Sequence, residues 1–89
     1  NNNMAKENYI LKHQGNPIAV ISAASEDELK RKTGLAIRNE VSAEPNTQFE
    51  LSLGRVGDWG EDTLIKTKYV QDGLLITDGE FSLMKTITY

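Results

Sequence analysis

The stretch from Ser25 to Val41 constrains the fold of this chain more than any other. Ser25 is followed three residues later by Glu28, with Glu26 and Asp27 between them. This is a capping box: the serine hydroxyl accepts from the Glu28 amide, and the Glu28 carboxylate reaches back to the Ser25 amide. Acids in the first turn and Lys30, Arg31, Lys32 and Arg38 further along match the polarity of a helix dipole. Glu28 and Lys32 stand at i and i+4, the better orientation for an ion pair. Pro45 cannot continue a helix, and Glu44 before it is pushed towards extended geometry, so the helix is expected over residues 26–42.

At about 100° per residue, Leu29, Thr33, Ala36, Ile37 and Val41 share one arc, the expected core face. Gly34 lies at its edge, where it costs up to ~1 kcal/mol relative to alanine and would let a strand approach. The opposite face holds Arg31, Leu35, Arg38 and Asn39. Leu35 there is either a lone exposed leucine, which needs no explanation, or a contact anchor flanked by two arginines.

The flanking segments read as strands. Asn8 to Gln14 is the first, Gly15-Asn16-Pro17 the turn, and Ile18 to Ala23 the second and the clearest candidate for a buried strand. After the helix, Gln48 to Leu53 alternates, with Phe49, Leu51 and Leu53 on one side. Residues 54–62 form a glycine-rich acidic loop. Thr63 to Val70 follows, with Ile65, Thr67 and Tyr69 inward and Lys66 and Lys68 outward. Asp72-Gly73 and Asp78-Gly79 are both hairpin-turn dipeptides, and Leu74-Leu75-Ile76 between them is either a short strand or an apolar bulge. Glu80 to Tyr89 is the last strand, with Phe81, Leu83, Ile87 and Tyr89 on one face and Lys85 interrupting it. The fold class is therefore α+β: a β-β-α-β-β-β order, with a mostly antiparallel curved sheet packed on one helix.

Asn1, Asn2 and Asn3 ahead of Met4 read as an appended remnant, leaving residues 4–89 as one domain of modest core. The chain contains no cysteine, so disulfides, thiolate metal sites and cysteine nucleophiles are excluded. No apolar run approaches the ~18 residues of a membrane span and no signal peptide follows Met4, so a cytoplasmic protein without a membrane partner is expected. A net charge of −3 is too mild to argue for a nucleic-acid mimic or a general nucleic-acid binder. Its distribution is uneven: four cations and no acid from Lys30 to Arg38, then five acids against Arg55 alone from Glu44 to Asp62. Both runs also read as ordinary solvated surface.

No catalytic constellation emerges. His13 is the only histidine and has no recognisable nucleophile partner. Asp58, Glu61 and Asp62 could offer oxygens to a divalent ion, but their spacing is not that of a calcium loop. Gly54, Gly57 and Gly60 lack the spacing and the following helix of a phosphate cradle. No enzyme activity, cofactor or metal is expected. Trp59, between Gly57 and Gly60, either lids the end of the core or is a presented aromatic anchor, with Arg55 nearby to contact a carboxylate or phosphate.

One further feature bears on function. Several strands carry apolar groups on both faces: Ile10 as well as Tyr9 and Leu11, Val20 as well as Ile21, Met84 as well as Leu83. A single helix covers one face of a sheet. Either the sheet curls around its own core, or a partner or a second copy covers the other face. The leading expectation is a small non-enzymatic protein-interaction module, of regulatory, accessory or phage-type inhibitor kind, binding another protein or, as a homodimer, itself through residues among Arg31, Leu35, Arg38, Arg55 and Trp59. The alternative is an RNA- or single-strand-binding domain using Arg31, Lys32, Arg38, Lys66 and Lys68.

Overall fold

The computed structural model describes residues 6–43 and 49–86. The helix-cap dipeptide Glu44-Pro45 and the strand positions Gln48, Ile87 and Tyr89 lie outside them. One six-stranded, wholly antiparallel sheet carries one helix on one face, and the sheet is curved and not closed. In chain order the elements are β1 (Glu7–His13), β2 (Asn16–Ala23), α1 (Glu26–Val41), β3 (Glu50–Leu53), β4 (Asp62–Gln71), β5 (Leu74–Thr77) and β6 (Phe81–Thr86). The spatial order is β2-β1-β6-β4-β3, with β5 also paired to β4.

The helix starts on the expected serine: Ser25 is extended (φ −150°, ψ 162°), and its Oγ accepts from the Glu28 amide at 3.1 Å. The returning carboxylate differs from expectation by one residue. Glu28 Oε1 accepts from the Ala24 amide at 2.6 Å, not from Ser25, while its other oxygen lies 3.5 Å from the Lys32 ammonium. The carboxylate thus bridges the incoming strand and the second turn. The helix stops where Ser42 turns left-handed (φ 52°, ψ 48°) and Ala43 donates to the Arg38 carbonyl at 3.2 Å. Leu29, Thr33, Ile37 and Val41 are buried as the periodicity predicts.

They meet a sheet face built from Tyr9, Leu11, Ile21, Ile65, Tyr69, Phe81 and Leu83, all buried. Alternation along the strands places each of them on the helix side. The registers agree: Leu11 lies opposite Leu83, and Ile65 opposite Phe81. Thr33 is fully buried among them, and its hydroxyl has no partner among the described residues.

Three sequence expectations need correction. The first turn is Gln14-Gly15 and not Gly15-Asn16-Pro17. Both turn residues have positive φ (54° and 82°), the two-residue geometry whose twist suits a hairpin, and Asn16 and Pro17 already pair with β1. Ile18 to Ala23 is not a buried strand. It is the sheet's edge, only Ile21 and Ala23 are buried, and Val20 is 72% exposed. A continuous apolar run suits a strand covered on both faces, but here the face that carries Val20 is open. Asp78-Gly79 is not a hairpin turn. β5 and β6 both pair with the same side of β4, with one extra residue between their registers: Lys68 faces Thr77, but Ile65 faces Phe81. The segment is a bulge, pinned where Thr67 accepts from the Asp78 amide through its carbonyl and from the Gly79 amide through Oγ1, both at 2.9 Å.

Candidate functional site

The structure brings together three of the five candidate contact residues. Arg31, Leu35 and Arg38 line one side of a groove of about 600 Å³ between α1 and β3, and Phe49 and Leu51 line the other. The groove exists because α1 packs chiefly over β2 and only lightly on β3. Its strand wall follows from the alternation of Phe49, just before β3, with Leu51 and Leu53 within it, all half-buried on the helix side. Gly34 lies in this groove, and a Cβ built on it meets nothing within 4 Å. No strand approaches it closely, contrary to expectation. Its effect is to leave the groove open.

At one end of the groove, the Arg38 guanidinium stands 4.9 Å above the Phe49 ring. That ring stacks in turn on Tyr69 at 5.5 Å. The arginine is thereby held in place by a cation–π contact. Leu35 is 59% exposed. The ion pairs among the described residues are Lys12–Asp62, His13–Glu40, Lys32–Glu28 and Lys85–Glu7, and none of them uses Lys30, Arg31 or Arg38.

Arg55 and Trp59 stand apart from this groove and from each other. Arg55 borders a smaller pocket of about 380 Å³ with Tyr9, Ala23, Leu29 and Val56, beside the start of the helix. Trp59 is 60% exposed, so it does not lid the core. Its loop is fixed on either side of the indole: Gly60 donates to the Lys85 carbonyl at 3.1 Å, and Asp58 donates to a Glu61 carboxylate oxygen at 3.3 Å.

The cations of the nucleic-acid alternative are split between two faces. Lys66 and Lys68 point away from the helix, opposite Ser52 and Glu50, while Arg31 and Arg38 lie on the helix side. Lys32 is engaged, donating to the Ser22 carbonyl at 2.7 Å as well as pairing with Glu28. Asp58, Glu61 and Asp62 do not converge either: Asp62 pairs with Lys12 at 3.0 Å, and Glu61 turns to the Asp58 amide. Among the described residues, no group of three or more histidines and acids is placed to hold a metal ion. His13 stacks on Phe81 at 4.3 Å, with Glu40 3.7 Å away.

Among the described residues, nothing covers the second sheet face. Val20, Ile10 and Met84 lie directly opposite one another across β2, β1 and β6, and Leu64 further along is 76% exposed. Lys12 crosses this face, its ammonium 3.0 Å from Asp62 and 3.6 Å from the Met84 sulfur, so its alkyl stem covers part of the apolar row. The apolar residues here do not curl the sheet around a second core.

Among the described residues, three groups are shifted from their ordinary values, and burial alone raises the Tyr69 hydroxyl. Burial raises the Tyr9 hydroxyl above its ordinary value, helped by Glu7, which accepts its hydrogen bond at 3.3 Å. The Ala24 amide holds the Glu28 carboxyl below its ordinary range, with Lys32 contributing.

Sequence reading found the helix side of the groove but missed its other wall and the free strand beside it. Phe49 and Leu51 were legible as the inner face of a strand. That this strand ends the sheet depends on pairings across the whole chain. No helix among the described residues is long and apolar enough to cross a membrane. Comparison with protein-family models, curated proteins and solved structures gives no match for this chain, and the function must be argued from this geometry.

Proposed function

We propose that this chain is a small non-enzymatic protein-interaction module that binds another protein in the groove between α1 and β3. One observation carries the reading. An exposed leucine, Leu35, faces a half-buried aromatic and aliphatic wall across an open groove, and its helix side is lined by cations that make no ion pair among the described residues. Interface centres combine aromatic or aliphatic anchors with arginine in this way. The separation of Lys66 and Lys68 from Arg31 and Arg38 speaks for a protein partner over a nucleic acid, which would track a continuous basic surface.

Site-specific photo-crosslinking tests this reading. With a benzophenone side chain at position 35, the expected result in lysate is a small set of nuclease-resistant protein adducts. These adducts are expected to vanish in the Arg31→Glu/Arg38→Glu variant. Nuclease-sensitive adducts would turn the reading to the nucleic-acid alternative. No adduct from position 35, together with strong adducts from position 59, would move the site to the Trp59 loop.

A further inference from the structure

The groove lies beside a free sheet edge, and that juxtaposition says what kind of segment fits it. We propose that its occupant is an extended acidic segment of a partner protein that adds as a strand to β3. It sets one apolar side chain between Leu35 and Leu51, with acidic side chains two residues to either side against Arg31 and Arg38. This rests on the protein-binding reading above and adds to it the conformation and the charge of what is bound.

Three observations support it. First, among the described residues β3 pairs with β4 alone, so its outer edge offers backbone donors and acceptors to an incoming strand. Second, β3 and α1 run alongside each other in opposite directions. The Phe49 ring, just before β3, lies under Arg38 near the end of the helix, while Val56, just after β3, shares a pocket with Ser25 and Leu29 at its start. An edge strand beside a helix with a groove between them is the geometry of strand addition, in which backbone bonds hold the segment and alternate side chains enter the groove.

The third observation is spacing and charge. Arg31 and Arg38 are seven residues apart, about 10 Å along the helix axis. Acids four residues apart on an extended strand lie about 13 Å apart, a difference that long arginine side chains span. Gly34 and Leu35 fall between the two arginines, where the apolar side chain would sit. Of the two acids at the groove margin, Asp27 belongs to the first helical turn, and Glu50 lies on the strand's other face, opposite Lys68.

The same charges disfavour the other occupants. A second copy adding through its own β3 would place its helix on the same side of the joined sheet, bringing its Arg31 and Arg38 towards these. A nucleic acid would need a presented aromatic platform, but the Phe49 ring is already held between Arg38 and Tyr69.

The test is selection of a fully randomised displayed nonapeptide library on the whole chain, counter-selected on Gly34→Leu. That variant fills the groove from a position where an added Cβ meets open space, and it is expected to keep or raise the melting temperature. The expected winners carry an acid, an apolar residue and an acid at two-residue intervals. Their affinity is expected to fall about tenfold on N-methylation of every second amide and little at the others. Winners without the two-residue interval, basic winners, or N-methyl effects without alternation would overturn strand addition while leaving the protein-binding reading to the crosslinking result. No enrichment over Gly34→Leu would overturn it too. So would a dimer in sedimentation that Gly34→Leu dissociates, or a 15-nucleotide oligomer whose binding that variant abolishes.

Discussion

The path of strands has two ends, β2 and β3, and the chain treats them differently. β2 is guarded. Pro17 near its start offers no amide, and Ile18 is an extra residue that breaks the register opposite Leu11 and Lys12. Lys32 reaches from the helix to the Ser22 carbonyl. Proline, a bulge and a lysine are devices that keep an exposed edge from pairing with other chains. β3 has none of these among the described residues. It is short, four residues, and its neighbours are a groove and cations that make no ion pair among the described residues. An edge left open beside a recess is where a partner strand would be received, and an edge carrying guards is where one would be refused.

Packing gives the sharpest way to test that contrast. Ile21 under β2 is 5% exposed, whereas Leu51 in β3 is half-buried. Ile21→Ala should therefore destabilise the fold by about 3 kcal/mol and Leu51→Ala by about 1 kcal/mol in urea unfolding. Equal losses would mean that the two edges are equally built into the core. A smaller effect is expected at the guard itself. Lys32→Met removes the bond to the Ser22 carbonyl and should cost about 1 kcal/mol. More telling, it should promote concentration-dependent association through β2, visible by light scattering. If the variant associates no more than the wild-type chain at any concentration, Pro17 and the bulge suffice to close that edge.

The smallest effect concerns the tie between β2 and the helix. Glu28 is held below the ordinary carboxylate range by the Ala24 amide and Lys32. A carboxylate depressed in the fold contributes stability that is present above its unfolded pKa and lost as pH falls through the lower folded value. Acidification below the ordinary carboxylate range should weaken the wild-type fold, and Glu28→Gln should show a shallower decline over that window. An unchanged acid limb would mean that the Ala24 contact does not distinguish the charged from the neutral group.

The helix and its N-cap serine were readable from neighbouring residues because capping, periodicity and dipole complementarity act within a few turns of chain. Arg31, Leu35 and Arg38 could be grouped for the same reason. What could not be read was anything set by pairing across the sequence. The apolar run Ile18 to Ile21 resembles a covered strand, and only the sheet order shows it to be an edge. Asp78-Gly79 has the composition of a hairpin turn, and only the two registers on β4 show it to be a bulge. The assignment of Trp59 stayed open because a glycine-rich loop fits both a lid and a presented side chain. The Gly60 and Asp58 hydrogen bonds that fix the loop are set by its fold.

The extra residue between β5 and β6 has a consequence for how the chain can vary. Strand side chains alternate, so a single added position exchanges the inside and the outside of everything beyond it. Ile76 and Phe81 both face the helix although they are an odd number of residues apart, because the bulge absorbs the odd step. Without it, Ser82 and Met84 would point into the core, and Phe81 and Leu83 into water. Gly79 cannot be filled in either, since a Cβ there would lie 2.9 Å from the Phe81 ring. The segment works as a frame-shift suppressor written into the backbone: insertions and deletions beside it must come in pairs, or the hydrophobic half of the last strand is read in the wrong phase.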